Sequence, residues 1–225
     1  MTDHLSRGDD FARRLRGFGP LGILAILIIL AGNFLIAPAG AILVLVWTSL
    51  SVTPWREIGY VRPKSWTRTV VIGVIFGVAF KFFMKAIVMP LLGAPPINQA
   101  YHWVAGNTAA LPAILYLLII VAGFGEETVY RGWMFERLGK LLGTSGWAKA
   151  ATVLLTTLVF ALAHYPDQRI PGVEQAIITG LVFGTIFAVT GRIFMLMVVH
   201  AAFDLAALAM IYWDFETKVA HFFFK

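Results

Sequence analysis

The feature that most constrains this chain is a succession of apolar runs, such as LPAILYLLIIVAG at 111–123, which are long enough to form membrane-spanning helices. Of 225 residues, 59% are hydrophobic and only 13% are charged, whereas soluble domains carry roughly 25% charged residues. Since one span needs about 20 apolar residues, the length allows about six to eight helices. The sequence therefore predicts an all-α, polytopic transmembrane helix bundle, and its borders favour seven spans.

Helix-breaking residues and charges set the borders of these spans. The block from Leu21 to Thr53 is too long for one span, and AGNFLIAPAG at 31–40 interrupts it. The prolines of HYPDQRIPG at 164–172 are expected to end the fifth helix. We predict spans at 21–36, at 39–53, at 69–90, from 110 into EETVYR, at 150–166, at 173–190 and at 193–213.

The distribution of basic residues predicts the orientation of the chain. Basic clusters precede the first span and follow the second, and cytoplasmic loops are enriched in Lys and Arg. Two spans between two cytoplasmic clusters place the N-terminus in the cytoplasm. The net charge of +6 is explained by this topology and not by nucleic-acid binding. We predict a cytoplasmic segment at 1–20, a single bundle at 21–213 and a short tail at 214–225, in the inner membrane of a bacterium.

Several residues receive a structural interpretation. Gly73 and Gly77 have the spacing that lets helices approach closely. Lys81 and Lys85, one turn apart, are expected to extend toward the membrane surface, and the alternative is that they line a polar interior. The absence of cysteine excludes disulfides and thiolate catalysis. The tail is expected to be solvated, including its charged residues Asp214, Glu216 and Lys218.

The motif EETVYR places three charges directly after an apolar run. A charge at the centre of a membrane helix costs about 2.5–3.5 kcal/mol on insertion scales. Glu127 and Arg131 are four residues apart and can pair on one face of a helix. Glu126 points about 100° away from Glu127, so one glutamate can be held by the arginine while the other stays available for chemistry.

Two further motifs carry ionisable side chains in the second half of the chain. FALAH places His164 one turn after Phe160, which can pack beside the imidazole ring. HAAFD places His200 and Asp204 four residues apart on one face. If the motifs converge, the two histidines, the aspartate and Glu126 form a set that can activate water.

Each motif alone also has a structural interpretation. Glu127 and Arg131 could form an ion pair at a helix end, His164 could lie at the membrane interface, and the HAAFD pair could be a buried hydrogen bond. Two other functions fit the composition. A proton-coupled transporter also uses intramembrane Glu, His and Lys, and a non-catalytic membrane binding or immunity protein could retain the same fold.

The three motifs together resemble those of a known family. EETVYR at 126–131, FALAH at 160–164 and HAAFD at 200–204 match, in order, the EExxxR, FxxxH and HxxxN/D motifs of the CPBP family. This family comprises the intramembrane CAAX-processing and bacteriocin-processing proteases and is also called the Abi family. RGWMFERL after the first motif and WREIGYVRP before the third span are also similar to it.

The resemblance implies a membrane-embedded endopeptidase that acts on a peptide or membrane-protein substrate in the lipid bilayer. By position, Glu126 would activate the attacking water as a general base. His164 and His200 would hold that water, directly or through a metal. Glu127 and Arg131 would support the site.

Asp204 stands where many members of the family have asparagine. An asparagine amide can donate a hydrogen bond to an oxyanion, whereas an ionised aspartate cannot. Asp204 is therefore expected to be protonated, to ligate a metal or to orient His200. With His164 and His200 it forms a donor set that would suit zinc or another divalent metal, and a metal-free glutamate mechanism is the alternative.

Overall fold

A computed structural model describes residues 7–35 and 38–224. In this part of the chain the secondary structure is helical, without strands, which confirms the predicted all-α fold. Predicted segments that include residues 1–6, 36–37 and 225 lie partly outside the described residues. The helices are α1 (Arg7–Arg16), α2 (Pro20–Leu35), α3 (Ala39–Leu50), α4 (Trp66–Leu91), α5 (Thr108–Leu142), α6 (Gly146–Ala163), α7 (Tyr165–Thr190), α8 (Phe194–Tyr212) and α9 (Glu216–Ala220).

The described helices differ in their capacity to cross a membrane. Five of them, α4 to α8, are long and apolar enough, and the pair α1–α2, bent by 60°, would be a sixth. α3 is apolar but has only 12 residues, which extend about 18 Å of an approximately 30 Å hydrocarbon core. The seven predicted spans correspond to α2–α8. By length and composition, α4–α8 can each cross a membrane, and α2 can do so if it forms one bent span with α1.

The junction between α6 and α7 differs from the predicted loop at 164–172. α6 ends at Ala163 and α7 begins at Tyr165, so only His164 separates them. Pro166 lies in the first turn of α7, where no intrahelical N–H is required. The helical backbone is interrupted instead at Arg169, whose φ is 54° and ψ is −153°. The break in the helical backbone therefore lies five residues after His164, which keeps a helical backbone conformation at the end of α6.

The contact between α4 and α8 depends on glycine, as the spacing predicts. A Cβ atom at Gly77 would lie 2.3 Å from the carbonyl oxygen of Val199, and one at Gly73 would lie 2.8 Å from the Val198 side chain. Both distances are shorter than Cβ contacts allow, so only glycine permits this approach. Gly73 faces Val198 and Gly77 faces Val199. These two contacts fix the position of α8 along α4.

The favoured expectation that Lys81 and Lys85 extend to the membrane surface is wrong, as is the expectation that Glu216 is solvated, and the lysines instead follow the alternative of a polar interior. Lys81 is only 6% exposed, and its Nζ donates to Gln175 Oε1 at 2.8 Å. Lys85 Nζ lies 2.8 Å from Glu216 Oε1. Glu216 also accepts from the backbone N–H of Asn98, so the start of the tail folds back onto α4.

Charged residues tie α1 to one end of the bundle. The guanidinium of Arg137 pairs with Glu136 and donates to the carbonyl oxygen of Arg16 at 2.7 Å. It also lies 4.5 Å from the centre of the Trp47 ring. Arg16 in turn pairs with Glu57, which follows α3. The described part of the predicted N-terminal segment is therefore a helix packed on the bundle.

Candidate active site

α5 widens where it carries the first motif. From Leu117 to Trp133 its backbone has π-helical hydrogen bonding, a conformation that is frequent at functional sites. Glu127, within this stretch, is fully buried at 0% exposure, whereas 26% of the Glu126 side chain is exposed. The adjacent glutamates therefore face different surroundings, as their positions on one helix predict.

Glu127 joins α5 to α8. Its Oε1 accepts a hydrogen bond from Arg131 Nη1 at 2.8 Å and lies 2.7 Å from His200 Nδ1. The buried guanidinium of Arg131 lies between two rings, with Cζ 4.5 Å from the centre of Phe160 and 5.5 Å from that of Phe183. A buried ion pair requires such additional partners to offset its desolvation. The Glu127–Arg131 pair predicted from the sequence is present, and it also fixes a histidine of another helix.

The hydrogen bond to Glu127 defines the orientation of His200. An ionised carboxylate only accepts, so Nδ1 carries the proton and donates. Nε2 then faces the opposite direction, 3.7 Å from Glu126 Oε2 and 3.5 Å from Asp204 Oδ2. The imidazole of His200 therefore stands between one fully buried carboxylate and two carboxylates that line a cavity.

His164 is oriented by its own helix. Its Nδ1 lies 2.8 Å from the carbonyl oxygen of Phe160, and because a carbonyl only accepts, Nδ1 is the donor. Nε2 is left to face the cavity. The ring of Phe160 packs edge-on against His164 at 4.6 Å between centroids, the contact predicted from FALAH. In both histidines, Nδ1 therefore makes a hydrogen bond within the protein, and Nε2 remains available for a water molecule or a substrate.

The three motifs meet at one cavity. Its volume is about 320 Å³, and Glu126, His164, His200 and Asp204 all line it. Glu127 and Arg131 are buried behind this wall, where they hold His200. The structure therefore brings together all six residues that the sequence singled out, four at the cavity and two in support.

Other polar residues of the cavity have little or no signal in the sequence. Lys81, Tyr101, Gln168 and Gln175 line it together with the motif residues. Burial raises the pKa of Tyr101, so its phenol keeps the proton. An ionisable residue within a span such as Lys81 is itself a functional signal, whereas the loop residue Tyr101 follows no recognisable pattern.

The donor set for the predicted metal is not assembled in the described residues. No group of three or more His, Asp or Glu side chains among them has an arrangement that could hold a metal ion. His164, His200 and Asp204 line the same cavity without meeting this condition. Zinc or another divalent metal at these residues stays a prediction.

These features define a class: a polytopic α-helical membrane protein whose buried Glu–Arg–His network supports further carboxylate and imidazole groups at an internal cavity. Residues 108–206 match the family described as type II CAAX prenyl endopeptidase Rce1-like. All three motifs lie within this segment, and the match confirms the family resemblance that they predict. No curated protein and no solved structure matches the chain. The family match supports an intramembrane peptidase and favours it over the transporter and the non-catalytic binding protein.

Proposed function

We propose that this chain is an intramembrane endopeptidase in which Glu126 activates the attacking water. The observation that carries the proposal is the state of the Glu126 carboxylate. It lines the cavity, and within the described part of the chain its Oε2 is buried without a hydrogen-bond partner. Glu127 Oε2 also has no hydrogen-bond partner, but Glu127 is fully buried, does not line the cavity and uses Oε1 to hold Arg131 and His200. Glu126 is therefore the glutamate of this motif that is placed to accept a proton from a water molecule in the cavity.

The proposed reaction follows from these positions. Glu126 accepts a proton from a water molecule, and the resulting hydroxide attacks the carbonyl carbon of the scissile peptide bond. The C–N bond then breaks, and the proton held by Glu126 passes to the leaving amine. The products are a carboxylic acid and an amine, the acid then gives its proton to the amine or to water, and the glutamate has returned to its ionised form.

The histidines position the reactants in this scheme. Nε2 of His164 and of His200 face the cavity, where each can accept from the water when neutral or donate to the carbonyl oxygen when protonated. Asp204, 3.5 Å from His200 Nε2, orients that ring. We assign Asp204 to this role because its carboxyl group is the one next to His200 Nε2 on the same helix, four residues further along the chain.

We propose peptides or membrane proteins in the lipid bilayer as substrates, and no nucleic acid. The matched family is named for CAAX prenyl endopeptidases, and for this chain the proposal extends only to cleavage of a peptide bond at the membrane. We place the enzyme in a bacterial inner membrane with its N-terminus in the cytoplasm.

The experiment that tests this function compares Glu126→Gln with Glu127→Gln. Purified protein in detergent is incubated with a library of apolar peptides, and the products are identified by mass spectrometry. Loss of a general base lowers the rate by about 10²–10⁴-fold, so we expect Glu126→Gln to lose cleavage at an unchanged Tm. Glu127→Gln is the matched control, because it leaves Arg131 buried without its ion-pair partner and is expected to lower the Tm as well.

Cleavage by Glu126→Gln at the parent rate would remove this residue from the mechanism. Equal losses of Tm in both variants would assign Glu126 to structural support.

A further inference from the structure

Glu126 also lines a second, smaller cavity. Its volume is about 200 Å³. The larger cavity is lined by α4 to α8, whereas residues of α2 and α3 contribute to the smaller one, including Asn33, Gly40 and Ala41. Glu126 lines both cavities. Val121 and Asp167 also line both, so Glu126 lies where the two cavities adjoin.

The smaller cavity has polar groups that suit water. Asn33, Glu126, Tyr130 and Asp167 line it. A water molecule takes up about 30 Å³ in the liquid and typically makes two to four hydrogen bonds in a protein. The cavity therefore has room and partners for several water molecules.

Tyr130 supplies a donor in this cavity. It is 3% exposed and lies four residues after Glu126 on α5. Its hydroxyl oxygen accepts a hydrogen bond from Asn33 Nδ2 at 3.0 Å. Because that bond uses the oxygen as an acceptor, the hydroxyl proton is left for another group. The carboxylates that line the cavity are those of Glu126 and Asp167.

We propose that the smaller cavity is the water site of the enzyme and that Tyr130 is a positioning residue, which donates to the Glu126 carboxylate directly or through one water. This inference rests on the proposed endopeptidase function. Each turnover consumes one water, and a peptide bound in the larger cavity covers Glu126 on that side. Water from the smaller cavity reaches the carboxylate without crossing the bound substrate.

The buried Oε2 of Glu126 gives this assignment its physical reason. An unpaired buried oxygen is costly, and an ordered water between Tyr130 and Glu126 would satisfy it. That water is held by the same carboxylate that removes its proton. The tyrosine keeps its own proton throughout and orients the base.

The test compares Tyr130→Phe with Tyr60→Phe. Each variant loses one hydroxyl and its hydrogen bond to a neighbouring side chain, Asn33 for Tyr130 and Thr128 for Tyr60, but Tyr60 lines neither cavity. We expect similar changes in Tm. A misplaced catalytic group costs about 10²-fold in rate, so we expect kcat to fall by this order in Tyr130→Phe at an unchanged KM, whereas Tyr60→Phe keeps most of its kcat.

Infrared spectroscopy provides a readout that does not need a substrate. The carboxylate stretching band of Glu126 is assigned by its absence in Glu126→Gln. We expect Tyr130→Phe to shift this band and Tyr60→Phe to leave it in place. Equal kcat losses in the two variants, or an unmoved band in Tyr130→Phe, would overturn the role of Tyr130. Cleavage by Glu126→Gln would instead overturn the proposed function, so the two failures are distinguishable.

Discussion

Among single residues, Arg131 combines a permanent charge with almost complete burial. Taking a guanidinium out of water costs several kcal/mol, and a carboxylate partner with good geometry offsets this cost. Glu127 provides the carboxylate, and the rings of Phe160 and Phe183 cover the guanidinium. The charge of Arg131 therefore stabilises the orientation of Glu127, and through it that of His200.

Arg131→Ala is expected to lose stability and activity together. Removal of one partner from a buried ion pair costs about 3–5 kcal/mol because the other charge is left unpaired. The measurement is the Tm of the variant in detergent beside its cleavage rate. The double variant Glu127→Gln/Arg131→Met removes both charges, and we expect it to recover part of the Tm without activity. Loss of cleavage at an unchanged Tm in Arg131→Ala would instead indicate direct contact with substrate.

The sequence predicts local pairs of residues better than distant ones. The Glu127–Arg131 pair follows from a spacing of four on a helix. The bond from Glu127 to His200 joins residues 73 positions apart, and the sequence predicts only that these motifs converge. The pair of Lys85 and Glu216 was missed, because a lysine near a helix end and an acidic tail residue have no local signal that they meet.

At the scale of whole helices, the contact of α4 with α8 positions the site, because α8 carries His200 and Asp204. We expect Gly77→Ala to weaken this contact, since the added Cβ would lie 2.3 Å from the Val199 carbonyl oxygen. Overpacking of this kind costs about 1–3 kcal/mol. The expected result is a lower Tm and a lower cleavage rate, because α8 must move away from α4.

Gly139→Ala is the matched control for Gly77→Ala. A Cβ atom at Gly139 has no heavy atom within 4 Å, and alanine favours a helix over glycine by about 1 kcal/mol. Its Tm is expected to stay unchanged or to rise. Equal effects of the two substitutions would show that close packing of α4 on α8 is not required.

Helix positions are predictable from the apolar pattern, whereas helix ends and backbone type are less so. The seven predicted spans correspond to α2–α8 because lipid requires long apolar segments. The predicted break at 164–172 is shorter in the structure, since Pro166 is compatible with the first turn of α7. The π-helical stretch of α5 has no counterpart in the hydropathy pattern, because it changes the hydrogen-bond register and not the composition.

In the molecule as a whole, one end is basic, and residues of the opposite end help to line the cavity. The basic end is formed by α1, the segment between α3 and α4, and the turns that join α5 to α6 and α7 to α8. The hydrogen bond from Ile193 N–H to the carbonyl oxygen of Gly59 brings two of these segments together. The cavity is lined at the opposite end by Asn98, Tyr101 and Gln168. If the basic end lies in the cytoplasm, these lining residues lie toward the other side of the membrane, and we expect substrates to approach from there.

This orientation can be measured with single cysteines, because the natural chain has none. Thr144→Cys places an exposed thiol at the basic end, and Gln99→Cys places one beside the cavity. In intact bacterial cells, we expect a membrane-impermeant maleimide to label Gln99→Cys and to label Thr144→Cys only after the membrane is opened. The reverse pattern would place the N-terminus outside and open the cavity to the cytoplasm. The labelled side is also the side on which substrates must present the scissile bond, so the result determines which peptides the enzyme can meet.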